Sequence, residues 1–467
     1  MSRLALVTGA TGYIGAHVVP ALLDAGWRVR VLARHPERID PAWRDRVEVT
    51  EGDARSADDL RTALSGVQVA YYLLHSMEKA GDDFRGRDKE LAQGFARAAA
   101  EAGVGRIVYL SGLHPTGGEL SAHLASRVEV GEILLGSGVP TAVLQAGVVL
   151  GAGSASFDML RHLTERLPVA TGPRWLANRI QPIAIDDVVH YLVRAADLPP
   201  EVNRTIDLGM DEVLTYAQMM RRYARITGIG PRLVGTIPVL TPGLASHWVG
   251  LVTPVPAGIA RPLVGSLIHD ALRHESDAAD LLGDPPGGPM GFDEAVRRAT
   301  ASVDPHRWNR TLARVGLGVL GTAVVGGLLT DPSSRWFRSL RKPSWNPPDW
   351  VFGPVWTTLY STIVIAATST ICDLQEAGRD AEASRFARAL AANLVLNAGW
   401  SGVFFRGRKL GPAAGVAGLL AVSSADLARR AASVGPVKAA GLGAYAAWST
   451  FATVLSTRIA GLNRRPA

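Results

Sequence analysis

Between residues 312 and 459 the chain carries five long apolar stretches, approximately 312–330, 351–371, 386–405, 410–427 and 437–459. Each is close to the length of about twenty residues that a helix needs to cross a hydrocarbon core. Their few charges lie near their ends, and the others cluster in the short loops between them. In water, five successive stretches with uncharged centres would expose far too much apolar surface, so this half of the chain is expected to fold in lipid. Glycine and alanine richness, as in Gly411-Pro-Ala-Ala-Gly-Val-Ala-Gly418, permits close helix contact where lipid removes the hydrophobic drive.

At 467 residues, with 47% hydrophobic and 19% charged residues and a mean hydropathy of +0.13, the chain is too long for one ordinary domain. A net charge of +7 is spread along the sequence without a basic block carrying interleaved aromatics. That pattern excludes nucleic acid as a partner and favours lipid headgroups. Cys372 is the single cysteine, so neither an intramolecular disulfide nor a cysteine metal cluster is expected, and no metal site is read from the sequence. The run Leu4-Ala-Leu-Val7 is too short for a secretion signal and ends in a glycine turn, which leaves the N-terminal domain cytoplasmic by expectation.

The first half alternates β-type runs with amphipathic stretches such as 16–25 and 89–102, a pattern that predicts a parallel, doubly wound α/β sheet. Gly9, Gly12 and Gly15 follow the first strand and open the first helix. Glycines there let the backbone turn tightly and approach a pyrophosphate, which the helix N-terminus attracts with its amides and dipole. The second strand ends at Arg34, where a basic residue suits the 2′-phosphate of NADP; an acidic one would accept from the NAD ribose. NAD stays the alternative, with Arg34 as a solvated surface residue. Asp53 ends the third strand, either at the adenine ring or as the cap of the helix that begins near Ser56.

Five segments, Thr8-Gly-Ala-Thr-Gly-Tyr-Ile-Gly15, Gly52-Asp53, Tyr71-Tyr-Leu-Leu-His75, Val108-Tyr-Leu-Ser-Gly112 and Gln181-Pro-Ile-Ala-Ile-Asp-Asp187, carry a resemblance to the NmrA-like branch of the atypical short-chain dehydrogenases. The resemblance implies a Rossmann fold, a cofactor-binding set of Gly9, Thr11, Gly12, Tyr13, Ile14, Gly15, Arg34 and Asp53, and oxidoreductase chemistry. In active members a serine after the fifth strand polarises the substrate oxygen, a tyrosine transfers the proton, and a lysine one turn later holds the nicotinamide ribose. Ser111 is in place, but His123 and Arg127 stand where tyrosine and lysine are usual. Histidine donates near neutral pH and arginine binds hydroxyls, so Ser111, His123 and Arg127 are the catalytic candidates. The other reading of His123 and Arg127 is one solvated helix face. Tyr71, Tyr72 and His75 lie either near the nicotinamide or in packing at the sheet rim.

Residues 199–303 form a proline-broken, apolar region that, by the same resemblance, closes over the substrate end of the cofactor. It is too interrupted to span a membrane. A helix is expected over 214–226 and another over 293–303. The domain division read from the sequence is therefore 1–198, 199–303 and 304–467.

The loop Leu340-Arg-Lys-Pro-Ser-Trp-Asn-Pro-Pro-Asp-Trp350, with Trp356 and Tyr360 following, packs tryptophans and prolines between the first two apolar stretches. Together with Trp336, Asn393, Asn397, Trp400, Phe404-Phe405, Tyr445, Trp448 and Phe451, it makes residues 310–463 resemble the tryptophan-rich sensory proteins, relatives of the translocator protein. The resemblance implies an all-α five-helix transmembrane bundle that binds porphyrins or other flat hydrophobic ligands under the first loop. Trp345, Trp350, Trp356, Asn397, Trp400 and Trp448 would line that pocket, with indoles stacking on the ring and Asn397 as a polar handle. Trp336 is read as an interfacial belt residue. Two positions depart from the family pattern: Ala444 precedes Tyr445 where proline is usual, and Ser456 follows Leu455 where asparagine is usual. No Lys or Arg follows Tyr445 before Arg458, which weighs against a sterol motif.

Flanking Lys and Arg divide almost evenly between the two sides and leave topology open. Cofactor supply places the N-terminal domain inside the cell membrane and the tryptophan loop outside. Two functions compete: a membrane-anchored NADP-dependent oxidoreductase whose bundle captures a flat hydrophobic ligand, and a non-enzymatic sensor or transporter in which nucleotide occupancy biases the bundle. A homodimer through the membrane helices is a further expectation.

Overall fold

The apolar runs near the N-terminus form the parallel strands β1 (Leu4–Thr8), β2 (Arg28–Ala33), β3 (Glu48–Glu51), β4 (Val69–Tyr72), β5 (Arg106–Gly112) and β6 (Thr141–Ala146). Between them lie helices α1 (Tyr13–Asp24), α2 (Pro41–Arg44), α3 (Ala57–Leu64), α4 (Phe84–Glu101) and α5 (Ala122–Leu135). Strands β1, β4 and β6 are buried at every residue. Helices on both faces of the sheet cause this, and it is why these strands read as continuous apolar runs instead of alternations. The computed structural model describes residues 3–74, 84–115, 120–172, 174–236, 253 and 263–463. It divides into two compact units, Met1–Asp304 and Pro305–Ala467.

Short strands β7 (Val149–Leu150), β8 (Val169–Gly172), β9 (Arg179–Ile180) and β10 (Ile183–Ala184) and helices α6 (Ala155–Arg166) and α7 (Ile185–Ala195) come next. Strand β11 (Arg204–Leu208) then returns to pair with β6. The sheet order is β11-β6-β5-β4-β1-β2-β3, so the strand order reverses between β1 and β4. Doubly wound sheets bind ligands in the crevice at such a point. The sheet runs past residue 198, the boundary read from the sequence, because β11 supplies hydrogen-bond partners that β6 would otherwise leave exposed at an edge.

The rest of the first unit holds β12 (Leu214–Thr215), α8 (Tyr216–Thr227), β13 (Leu233–Thr236), α9 (Ala278–Leu282) and α10 (Phe292–Thr300). Phe157, Tyr216, Met219, Tyr223 and Phe292 anchor a core of its own here. The helix expected from residue 214 starts two residues later, because Thr215 and Gln218 form a capping box. The proline-broken run over 237–252, His75, Arg464 and Arg465 lie outside the described residues.

In the second unit all five apolar stretches lie on long helices: α11 (Arg307–Leu329), α13 (Asp349–Glu376), α14 (Asp380–Ser401), α15 (Leu410–Ala432) and α16 (Pro436–Leu462), with short α12 (Arg335–Ser339) between the first two. A π-turn, Gly402–Arg406, extends α14. By length and composition α11, α13 and α15 are apolar enough to cross a membrane. Helix α14 opens with Asp380, Glu382, Arg385 and Arg388, which lower its apolar character. Leu317, Leu328, Val395 and Val422 are each at least 70% exposed, an arrangement that suits lipid contact and not water. Inside, Ile363, Ala367, Phe386, Leu420 and Leu442 pack around Tyr445.

A chain of buried hydrogen bonds ties four of these helices together. The Tyr360 hydroxyl donates to Asn397 Oδ1 at 2.9 Å, Asn397 Nδ2 donates to the Tyr445 hydroxyl at 3.0 Å, and that hydroxyl donates to Asn393 Oδ1 at 3.0 Å. Asn393 Nδ2 then donates to the Ser423 and Ser424 hydroxyls at 3.1 and 3.0 Å. Replacing Tyr445 with Phe leaves both asparagines short of a partner. The expected loss of bundle stability is about 1–3 kcal/mol, checked by detergent-titrated unfolding of the full chain followed by tryptophan fluorescence.

Candidate functional site

Gly9 sits at φ +72°, and a Cβ there would lie 2.5 Å from the Leu73 carbonyl oxygen. A Cβ at Gly15 would lie 2.3 Å from the Gly9 carbonyl oxygen, so this turn closes only without side chains. The Gly12 amide donates to the Gly9 carbonyl at 2.9 Å and locks the loop. Gly12 caps α1 without a side chain, and no acidic residue stands in the first turn. The first amides and the positive end of the helix dipole are thus left for an anion, a fit to pyrophosphate. Thr11 is exposed, while Tyr13 and Ile14 are half-buried. The Tyr13 hydroxyl is buried with no partner, and burial pushes its pKa up. It reaches Gly151, where a Cβ would come within 2.2 Å of it.

Arg34, at the end of β2, is exposed. Asp53 is held by Arg55, whose Nη2 and Nε donate to the carboxylate at 2.6 and 3.0 Å. Arg55, with a smaller contribution from Arg34, keeps the Asp53 pKa below the usual carboxylate range. Arg34 and Arg55 therefore bracket one carboxylate at the strand ends. Ser56, not Asp53, caps α3, accepting from the Asp59 amide at 3.3 Å.

One residue before the end of β5 stands Ser111, which is 6% exposed and whose Oγ has no hydrogen-bond partner. It lines a cavity of about 320 Å³ together with Arg127 from α5, His114, Gln145 from β6, Asp207 from β11, and His274. Arg127 donates only long bonds, to the Tyr109 hydroxyl at 3.3 Å and the Leu110 carbonyl at 3.4 Å. The structure thus brings Ser111 and Arg127 together, whereas His123 is not among the residues lining this cavity. Burial, with the Arg127 charge beside it, pushes the His123 pKa down to about 3. The proton-donating imidazolium allowed by the sequence reading is therefore absent at neutral pH.

Tyr71 and Tyr72 are fully buried core residues. The Tyr71 hydroxyl donates to the Leu192 carbonyl at 3.0 Å, and Tyr72 packs on Phe95 and Tyr109. Their position is inside the sheet core, which settles them as packing residues. The sequence reading missed Gln145 and Asp207. Their signal was a polar residue near the end of an otherwise buried strand.

The bundle tryptophans fall into separate aromatic groups. Trp345 and Trp448 meet through Phe451, with ring centroids 6.0 and 5.3 Å away, and Phe352 lies 6.0 Å from Trp448. Trp356 lies 5.3 Å from Tyr360 and 6.4 Å from Tyr445, directly beside the buried hydrogen-bond chain. Trp400 stacks on Phe404 at 5.1 Å, and Trp336 packs on the same ring at 5.7 Å, so Trp336 joins an aromatic cluster instead of standing alone in an interfacial belt. The Trp400 Nε1 is buried and has no partner. Trp350 is 75% exposed, so it does not line an interior pocket in this conformation. Asn397 already bonds through both ends of its amide, which binds it into the helix contacts and leaves less of it for a ligand. Tyr445, the tyrosine on which a sterol motif would centre, is 0% exposed.

Two family models match the chain: an NAD(P)H-binding family over residues 9–129 and the TspO/MBR family over residues 315–462. Ceramide reductase of Caulobacter vibrioides is 30% identical over 270 residues, 55% of this chain and 81% of that protein. Translocator protein of Homo sapiens is 37% identical over 140 residues, 29% of this chain and 80% of that protein. The chain joins an NAD(P)H-binding domain to a TspO/MBR domain. Among solved structures, the Citrobacter sp. triphenylmethane reductase complexed with NADP(H) is similar at a TM-score of 0.50 and 19% identity, covering 63% of this chain and 99% of that one. At that identity the likeness shows the fold of the NAD(P)H-binding domain. The domain accordingly binds a nicotinamide cofactor, and the TspO/MBR domain associates with the bilayer.

The depressed His123 pKa has a consequence for the stability of the NAD(P)H-binding domain. The imidazole binds its proton more weakly in the fold than in the unfolded chain, so acid favours the unfolded state. This stabilisation is complete above pH 6.5 and is lost progressively as pH falls toward about 3. A His123→Gln variant should lose less stability than the wild type between pH 7 and pH 4, measured as the shift in thermal unfolding midpoint of the domain.

Proposed function

We propose that the NAD(P)H-binding domain is an NADPH-dependent reductase of an apolar carbonyl compound of the ceramide class, and that the TspO/MBR domain anchors it and binds a flat hydrophobic ligand such as a porphyrin. The single observation that carries the reductase reading is Ser111: a buried hydroxyl without a partner, beside Arg127, at the strand end that faces a cofactor crevice. A hydroxyl left unpaired in a fold costs about 1–3 kcal/mol, and a substrate oxygen at Ser111 Oγ recovers that loss. The bound nicotinamide supplies the hydride. Ser111 holds the carbonyl oxygen, and Arg127 offers unused guanidinium donors. The similarity to ceramide reductase supports the substrate class. Arg34 at the end of β2, with Arg55 near it at Asp53, supports NADP over NAD, because positive charge there would suit a 2′-phosphate.

The neutral His123 favours a second reading. No tyrosine stands at its position and it carries no titratable proton near pH 7. The sensor reading follows from this: NADPH occupancy shifts porphyrin affinity in the bundle, and by linkage porphyrin shifts NADPH affinity equally. Trp345, Trp356 and Trp448, grouped with Phe352, Phe451 and Tyr360, are the aromatic faces on which a planar ring would stack. In both readings five spans cross the cell membrane and the NAD(P)H-binding domain is cytoplasmic.

Full-length protein in nanodiscs is mixed with NADPH and a long-chain ketone, and absorbance at the nicotinamide band is followed. Turnover is expected, with Ser111→Ala lowering kcat by about 100-fold, in the range of a lost electrostatic contact. Arg34→Ala should narrow the NADPH-over-NADH preference by about tenfold or more, close to one charge-assisted contact. Absence of NADPH consumption together with a porphyrin-dependent NADPH affinity would replace the reductase reading with the sensor.

A further inference from the structure

The Ser111 cavity extends well beyond the serine. It runs between α5 and the strands β5, β6 and β11, from Ser111 past Gly131 to Leu135 at the far end of the helix. Its rim is fixed and not a chance of loop placement. The His274 amide donates to Asp207 Oδ2 at 2.6 Å, the Glu275 amide to the same oxygen at 3.4 Å, and the Arg273 amide to Gln181 Oε1 at 2.8 Å. His114 is fixed as well. Gln145 Nε2 lies 3.1 Å from His114 Nε2, so that nitrogen accepts, and Nδ1–H donates to the Pro115 carbonyl at 3.2 Å. The His274 Nε2–H donates to the His114 carbonyl at 2.7 Å and holds the strap to the floor.

What remains unbonded among the described residues forms a matched set. Ser111 Oγ offers a donor and an acceptor, Gln145 Oε1 and the Glu132 carboxylate offer acceptors, and Arg127 offers donors. Glu275 is paired with Arg204, which leaves the carboxylates of Glu132 and Asp207 around the cavity against the one guanidinium of Arg127. A phosphate headgroup would be repelled there. A neutral group carrying both hydrogen-bond donors and acceptors would have every valence met.

We propose that this cavity is the headgroup pocket of the substrate: it takes the neutral amide-and-hydroxyl head of a ceramide-type lipid, with Ser111 at its inner end. The proposal rests on the reductase reading and adds to it how a lipid with a polar head is told from a plain long-chain ketone. Sites that hydrogen-bond a substrate group reject analogues that lack it, because their own buried groups are then left unpaired.

The test compares two probes on the full chain in zwitterionic nanodiscs: N-hexanoyl sphinganine, which has the head, and 2-tridecanone, which does not. Gly131→Met fills the cavity from within, whereas Gly131→Ala adds a Cβ at ordinary contact distance, 3.5 Å from Val143, and serves as the folding control. Glu132→Leu removes an acceptor without changing the strand core. Gly131→Met should weaken N-hexanoyl sphinganine binding by about tenfold or more, and Glu132→Leu, whose carboxylate stands at the exposed mouth of the cavity, by about threefold. NADPH affinity and the KM for 2-tridecanone should stay within about twofold of wild type. Equal weakening toward both probes, or unchanged N-hexanoyl sphinganine binding in Gly131→Met, overturns the pocket. If 2-tridecanone is not reduced at all but the headgroup discrimination persists in binding, the pocket stands and the reductase reading fails.

Discussion

A buried polar group without a hydrogen bond costs about 1–3 kcal/mol, and in both units that cost is met chiefly by side chains that bond across elements. In the bundle Tyr360, Asn397, Tyr445, Asn393 and Ser424 pass hydrogen bonds from helix to helix, each filling the valence of the next. Together with the buried Lys438–Asp373 ion pair between α16 and α13, this chain constrains the relative rotation of the helices. In the NAD(P)H-binding domain Arg106 does comparable work, tying the loop before β11 through the Leu198, Pro199 and Val202 carbonyls. Among the buried groups without a partner, Ser111 Oγ lies at the cavity it shares with Arg127, the Tyr13 hydroxyl beside the glycine turn and Trp400 Nε1 among the bundle aromatics, while others, such as Trp43 Nε1 and the Tyr216 hydroxyl, sit within the apolar cores.

The glycine turn is the other constraint on which the first unit depends. Gly9 and Gly15 let β1, the loop and α1 approach more closely than any Cβ allows, and the Gly9 carbonyl is the contact shared by both ends of the turn. With the loop closed this way, α1 starts beside the crevice between β1 and β4. Arg34 and Arg55 then lie at the ends of neighbouring strands, one bound to Asp53 and one exposed.

Substitution of the usual tyrosine and lysine changes what the site can do. His123 is driven neutral by burial and by Arg127, so the pair does not act as an acid and its electrostatic helper. Arg127 turns instead toward Tyr109 and the Ser111 cavity, where its guanidinium is one of few donors among several acceptors. In this chain α5 packs against β5 and β6 while Arg127 and Glu132 on it line the cavity beside Ser111.

Much of this was legible in the sequence. Apolar runs gave the strands, glycine spacing gave the cofactor turn, and long uncharged stretches gave the bundle helices, because each depends on local periodicity or on one backbone conformation. The family resemblances rested on motifs equally local. Tertiary structure decided the rest. Tyr71 and Tyr72 sit in the core because helices cover both faces of β4, a fact about the neighbours of the strand and not its residues. The six bundle residues grouped by resemblance separate into three aromatic groups, an exposed Trp350 and an Asn397 spent on helix contacts, because side-chain partners across helices are set by rotation and crossing. Gln145, Asp207 and His114 come from distant parts of the chain and meet only when β11 pairs with β6. Periodicity fixes which residues face inward, and pairing across the sheet and bundle fixes what each of them meets there.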